Sequence, residues 1–248
     1  MTYRPKWRIA LDLLRHTLGN GVPMKDLTAD EEYGRCGAFR AEVDALGLLY
    51  MVEVPCALTG WTQRPRVLGP RVGPTGRGRP RTRPELATGA PATRRVDRLW
   101  KRGGPSWKAF HVKNTQKGPG VWEARTTRFS PWTSGGLPGN ELWLIVARNV
   151  LDGEVKYFLS NAPSEAPVEV LLHVAFSRDH IEKLFEEGKG EVGLDHFEVR
   201  GYRAVRRHLI LSMVSLLFVA EQTEALRGGK SVVEPLPGSS GHRGATGP

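Results

Sequence analysis

Two acids and two bases in this 248-residue chain sit where their charge needs an explanation. In "SRDHIEKLFEEGK" (Ser177–Lys189), Arg178, Glu182 and Lys189 fall close to the stripe that carries Ile181 and Phe185. Leu171, Val174, Ala175, Arg178, Ile181, Glu182 and Phe185 recur at three- and four-residue steps, the spacing of one helix face. Glu169, Asp179, Lys183, Glu186 and Glu187 make up the opposite, solvated face. An ion pair from Arg178 to Glu182 is one account of the charged stripe. In that orientation it stabilises a helix by only a few tenths of a kcal/mol. A bound cation and a polyanionic ligand are the other account, because half-burying charges is otherwise unfavourable. The second constellation is "TADEEYG", where Asp30 stands between an apolar strand and a loop. Asp30 suits a helix N-cap. It also suits ligand chemistry at the end of a strand in an open α/β sheet. One carboxylate at a strand end and another on a later helix are what a magnesium-dependent phosphoryl-transfer site requires. Mg²⁺ takes one or two carboxylates with phosphate oxygens and water, and two such ions about 4 Å apart can clamp the attacking and leaving oxygens.

The elements that must position these residues are legible in the apolar pattern. Trp7, Leu11, Leu14 and Leu18 predict a helix that stops at Gly19. Met24–Thr28 predicts a short strand running towards Asp30, and "GAFRAEVDALG" a helix of two to three turns. "LLYMVEVP" (Leu48–Pro55) is nearly continuously apolar, as a buried parallel strand should be. "WKAFHV" and "VWEARTTRFS" predict strands. "ELWLIVARN" and "EVKYFLSN" predict a hairpin across Asp152-Gly153. A single long helix is expected over Val168–Gly188, with Pro167 at its start. "LILSMVSLLFVA" (Leu209–Ala220) is too short to span a bilayer and suits a buried helix. The C-terminal tail, 227–248, reads as disordered.

Charge is concentrated. Between Thr62 and Pro105 there are twelve Lys/Arg against Glu85 and Asp97, which accounts for the whole net charge of +10; the rest of the chain carries 24 of each sign. Seven Gly and seven Pro in the same 44 residues exclude a regular core element there. "GRGRPRTRP" therefore reads as an extended basic arm, with Arg77, Arg79, Arg81 and Arg83 placed to contact a DNA backbone without reading bases. Cys36 and Cys56 form neither a disulfide framework nor a zinc motif, which fits a reducing cytoplasm. Asp12 and Arg15 interrupt the N-terminal apolar stretch and exclude a signal peptide. No P-loop and no Gly-x-Ser-x-Gly motif occurs. Asp195, His196 and Glu198 in "GLDHFEVR" suit loop packing better than a metal cluster.

Three segments, "KYFLSNAP", "RDHIEKLFEEGKGEVGLDHFEVR" and "RRHLILSM", resemble the C-terminal half of bacterial insertion-sequence transposases with a DDE catalytic domain. The resemblance is to the 701-type family, the DDE superfamily endonucleases. "VPMKDLTADEEYGRCGAFRAEVDALGLLYMVEVP" resembles the region around that family's second catalytic aspartate, and "GRGRPRTRPELA" its basic insertion. The similarity runs from about Trp7 to Ala220. It implies an RNase H-like α/β fold interrupted by a mostly β insertion. Residues 1–55 would be a partial core, 56–161 the insertion with its arm at 62–105, and 162–226 the C-terminal helices of the core.

The resemblance further implies that Asp30 and Glu182 are the second and third acids of the triad and ligands of Mg²⁺, with Mn²⁺ as an alternative. In the family's Tyr, Arg, Glu, Lys motif, Arg178, Glu182 and Lys189 match the last two gaps, while the Tyr position falls on Ala175. Arg178 and Lys189 would contact DNA. Only Asp12 and Asp26 precede Asp30, and neither suits the first triad position: one lies in a helix and the other four residues away on the same strand. The chain therefore reads as an N-terminally truncated transposase. Its implied partners are double-stranded DNA, a second copy or an intact transposase, and no membrane; its implied location is the cytoplasm, associated with the nucleoid. The competing expectations are a non-catalytic DNA-binding remnant that interferes with an intact transposase, and a basic nucleic-acid-binding protein unrelated to transposition.

Overall fold

In the computed structural model, the described residues are 3–70, 81–100, 103–115 and 118–226. They form two compact units, Met1–Arg178 and Asp179–Pro248.

The first unit is built on a mixed sheet. Helix α1 (Lys6–Gly19) leads to strand β1 (Asp26–Ala29), the single-turn α2 (Glu31–Gly34), α3 (Gly37–Ala45) and β2 (Leu49–Glu53). β1 and β2 pair in parallel, Ala29 opposite Val52, with α3 as the crossover. This is the expected strand–helix–strand unit. β2 is buried on both faces: Tyr50, Val52 and Val54 face a core that includes Phe39 and Val43 of α3 and Leu11 of α1. Met51 points the other way, into a second core with Leu171, Leu172 and Ala175. That two-sided burial is why the strand reads as a continuous apolar run rather than an alternating one.

Further strands extend the same sheet: β3 (Thr59–Trp61), β6 (Arg94–Arg95), β7 (Lys108–Thr115), β8 (Gly118–Pro131), β9 (Leu142–Asn149) and β10 (Val155–Ser160). The order is β1-β2-β10-β9-β8-β3-β6, with β7 on β8. The expected hairpin is present, with Val155 opposite Arg148 and Gly153 in the left-handed region at φ 77°. β10 runs antiparallel to β2, Leu159 opposite Val52, so the β-rich segment shares one sheet with the N-terminal strands. Asn161, just past β10, locks this junction. Its Oδ1 accepts from Tyr50 N at 2.7 Å, and its Nδ2 donates to Asp44 Oδ1 at 2.7 Å and to the Leu48 carbonyl at 3.0 Å. With α1 and α3 on one face and α4 (Val168–Phe176) on the other, the unit is an α/β domain whose central mixed sheet fits an RNase H-like fold.

The described part of the Gly/Pro-rich stretch holds more regular structure than expected. β4 (Val67–Leu68) and β5 (Glu85–Leu86) pair as a two-stranded ribbon, and a 3₁₀ turn covers Val96–Arg98. Two-residue strands need few side chains of any particular kind, so composition does not announce them.

Two expectations are corrected. The helix predicted over Val168–Gly188 is two helices, α4 and α5 (Asp179–Val192). The turn is closed at Ser177, whose N–H and hydroxyl both donate to the Val174 carbonyl, at 3.2 and 2.8 Å. An i,i+3 closure tightens the last turn and ends the helix. The apolar run Leu209–Ala220 lies within α6 (Tyr202–Leu226), of which only Ser212 and Leu216 are buried. A helix apolar on all sides exposes most of its surface unless it is surrounded. By length and composition alone α6 is long and apolar enough to cross a membrane. In this second unit the packing point on α5 is Gly188, where an added side chain would press on Leu194 and Leu216. The tail at 227–248 lies outside the described residues.

Candidate functional site

Asp30 follows β1 directly, at the carboxyl end of the parallel pair. Its backbone is extended, and its carboxylate is the N-cap of α2: Oδ1 accepts from Glu32 N at 3.0 Å and Tyr33 N at 3.4 Å. The cap satisfies two of the donors that open a helix. It commits one carboxylate oxygen, so the capping and ligand roles are compatible at this residue. Lys6 approaches from α1 and donates to Glu32 at 3.1 Å; that bond, with the nearby Asp30 charge adding to it, holds the Lys6 ammonium above its ordinary pKa.

At the corresponding end of β2, Glu53 faces two cations, with Lys156 Nζ and Arg178 Nη2 each 4.0 Å from its Oε2. Register places Glu53 one step beyond the Ala29–Val52 pair, beside the point where β1 ends at Asp30. The pattern of charges on 178–189 did not reveal Glu53 as a neighbour of Arg178, since the two are remote in sequence.

Glu182 and Lys189 lie on α5, two turns apart on one face, and both are exposed. Ile181 and Phe185, expected to face a core, are 45% and 46% exposed. The stripe that joined Arg178 to Glu182 crosses the break after α4, so the two residues do not share one helix. Asp30 and Arg178 belong to the first unit, and Glu182 and Lys189 to the second. Among the described residues no three His, Cys, Asp or Glu side chains converge as a metal site. The donor chemistry still suits the ion: Asp30 and Glu182 offer carboxylate oxygens, the ligands a hard divalent cation prefers.

In the basic arm, Arg77 and Arg79 lie outside the described residues. Arg81 pairs with Glu85 and donates to the Gly69 carbonyl at 3.2 Å, which ties it across the base of the β4–β5 ribbon. Arg83 is exposed. The "GLDHFEVR" segment packs as a loop: His208 Nε2 lies 2.8 Å from the Gly193 carbonyl, and Phe197 meets the His208 ring edge-on at 5.7 Å.

One group carries no motif that would mark it in the sequence. Arg40 of α3 is 8% exposed, donates to the Gly34 carbonyl and has Tyr50 as an electrostatic neighbour. Burial lowers the Arg40 pKa and pushes that of Tyr50 up to about 12. The available signal was positional: Arg40 lies beside Phe39 and three residues before Val43, on the buried stripe of its helix.

Residues 1–119 match the DDE superfamily endonuclease family. The matched stretch holds α1 to α3, both parallel strands, Asp30 and the basic arm. It supports a DDE-type, transposase-like family for that part of the chain. Enzymes of that superfamily depend on divalent metal and act on DNA. Among curated proteins, none matches this chain.

Proposed function

We propose that this chain is a DNA transposase of the DDE type, of the 701-type insertion-sequence group. Its parent reaction is metal-dependent cleavage at element ends, followed by transfer of the freed 3′-hydroxyl to target DNA. The observation that carries the reading is the position of Asp30: a carboxylate at the carboxyl end of a parallel strand, inside the matched region, with one oxygen committed to a cap and chemistry suited to a hard cation. Asp30 and Glu182 would hold Mg²⁺, or Mn²⁺ in its place. When bound, the ion supplies charge neutralisation at the phosphodiester and a more acidic attacking water or hydroxyl. The chain's own residues do the rest. Arg178 and Lys189 hold DNA phosphates, and Arg77, Arg79, Arg81 and Arg83 of the basic arm hold the DNA backbone.

Neither Asp12 nor Asp26 offers a further triad acid in this arrangement. Asp12 sits on α1 and is paired with Arg4 and, at 3.6 Å, with Arg15, while Asp26 opens β1 and is exposed. That observation favours a second reading, a chain that binds DNA without cutting it. Nicking of a supercoiled plasmid carrying the element's ends, in Mg²⁺, decides between them. Transposase function predicts nicking that Glu182→Gln abolishes with DNA binding retained. Binding by wild type with no nicking in Mg²⁺ or Mn²⁺ supports the second reading, and nicking unchanged in Glu182→Gln rejects the assigned ligand.

A further inference from the structure

Within the second unit, α6 has two opposite sides. His208, Ser212 and Leu216 follow one line at steps of four residues. That line packs inside the unit: His208 Nε2 is 2.8 Å from the Gly193 carbonyl, Ser212 and Leu216 are buried, and Leu216 lies beside Gly188 of α5. The line on the opposite side carries Arg203, Arg207, Ile210, Val214, Leu217, Glu221 and Glu224, at alternating steps of four and three. This is the heptad spacing by which one helix seats against another. All seven are exposed. Ile210, Val214 and Leu217, at its centre, are 56%, 58% and 59% exposed.

The charges on this line say what covers it. They have the wrong sign for the helix that bears them. A helix favours acids at its start and bases at its end, yet the first turn of α6 holds Arg203 and no acid, and the last turn holds Glu224 and no base. Their order is also self-complementary: two arginines, three apolar residues, two glutamates. A second copy laid antiparallel sets Arg203 against Glu224, Arg207 against Glu221 and Ile210 against Leu217, with Val214 of both copies at the two-fold axis. Each residue then meets its counterpart twice, as an isologous contact requires. A parallel copy would bring like charges together at both ends. A lipid surface would take up the apolar centre but leave the order of the charges without a partner.

We propose that this side of α6 is the surface on which two copies of the chain associate, antiparallel and about a two-fold axis. The apolar centre supplies the attraction, and the charged ends fix orientation and register. None of these residues is a proposed metal ligand or part of the basic arm, so the surface serves the chain whether or not it cuts DNA.

Sedimentation equilibrium of the full chain over a concentration series, in low and high salt, tests it. Wild type should pass from monomer to dimer, and salt should weaken the dimer because opposite charges face each other. Glu221→Arg combined with Glu224→Arg makes every end pair repulsive and should weaken association about tenfold or more. Adding Arg203→Glu and Arg207→Glu to that chain inverts every pair, keeps the wild-type net charge and should restore the dimer, which a mere folding defect would not do. Val214→Glu, at the axis, should leave a monomer with the helix content of wild type. The proposal is overturned if wild type stays monomeric, if the double arginine variant dimerises as wild type does, if salt strengthens the dimer, or if the quadruple variant stays monomeric. A monomer that floats with phosphatidylcholine vesicles would overturn it in favour of a membrane surface.

Discussion

At the scale of single residues, Asp30 carries two roles that one pair of substitutions separates. Asn caps a helix about as well as Asp, whereas Ala does not. Asp30→Asn should therefore leave stability to urea within about 0.5 kcal/mol of wild type, and Asp30→Ala should lower it by about 1 kcal/mol. Both should lose Mn²⁺ binding measured by calorimetry; retention in Asp30→Asn would reject the ligand role. Tyr50 provides a pH signature. Its folded pKa is raised, mainly by burial, from an ordinary value near 10 to about 12. A group that binds its proton more tightly when folded stabilises the fold below its unfolded pKa, and that stability is lost as pH rises through the folded pKa. Between pH 10 and 12 the protein should lose roughly 2 kcal/mol from this residue. In Tyr50→Phe the alkaline loss should shrink by that amount in urea melts at fixed pH.

At the scale of elements, the β1–α3–β2 unit sets the stability of the site. Phe39 is 2% exposed between α3 and the sheet, and Phe39→Ala should cost about 3–5 kcal/mol by chemical denaturation. Gly34 is a second pivot. A β-carbon there would collide with the Glu53 carbonyl, so Gly34→Ala must push α2 away from β2 and displace Asp30 with it. A melting temperature equal to wild type would contradict that packing. This unit was legible because its apolar residues follow strand and helix periods over short stretches. The break between α4 and α5 was not, because the apolar spacing continues past Ser177 while a hydroxyl and an N–H close the turn on Val174. The ribbon of β4 and β5 was hidden for a related reason: two backbone pairs hold it, and backbone pairing leaves little trace in composition.

At the scale of the whole molecule, charge is the property most open to test. The net charge of +10 is concentrated in residues 62–105, and association with duplex DNA should weaken steeply with salt. Replacing Arg77, Arg79, Arg81 and Arg83 with Gln should lower affinity about equally for unrelated sequences. It should also reduce the slope of log K against log salt by about 0.9 for each phosphate that the arm no longer neutralises. The change should correspond to fewer than four phosphates, because Arg81 already pairs with Glu85. An unchanged slope would remove the arm from the interface.

The sequence by itself determined the α/β class, the parallel pair, the hairpin, the concentration of positive charge in residues 62–105 and the choice of Asp30 and Glu182 as acids worth testing. Each of these is written in periodicity, composition or motif within a few tens of residues. Only the tertiary structure decided that Asp30 caps α2, that Arg178 faces Glu53, that β10 joins β2 and that Arg40 is buried against the Gly34 carbonyl. Those outcomes depend on chain closure between distant positions, as when Asn161 reaches back to Asp44, Leu48 and Tyr50. Local pattern says which face of an element turns inward; which partner it meets there is set by how the sheet is assembled.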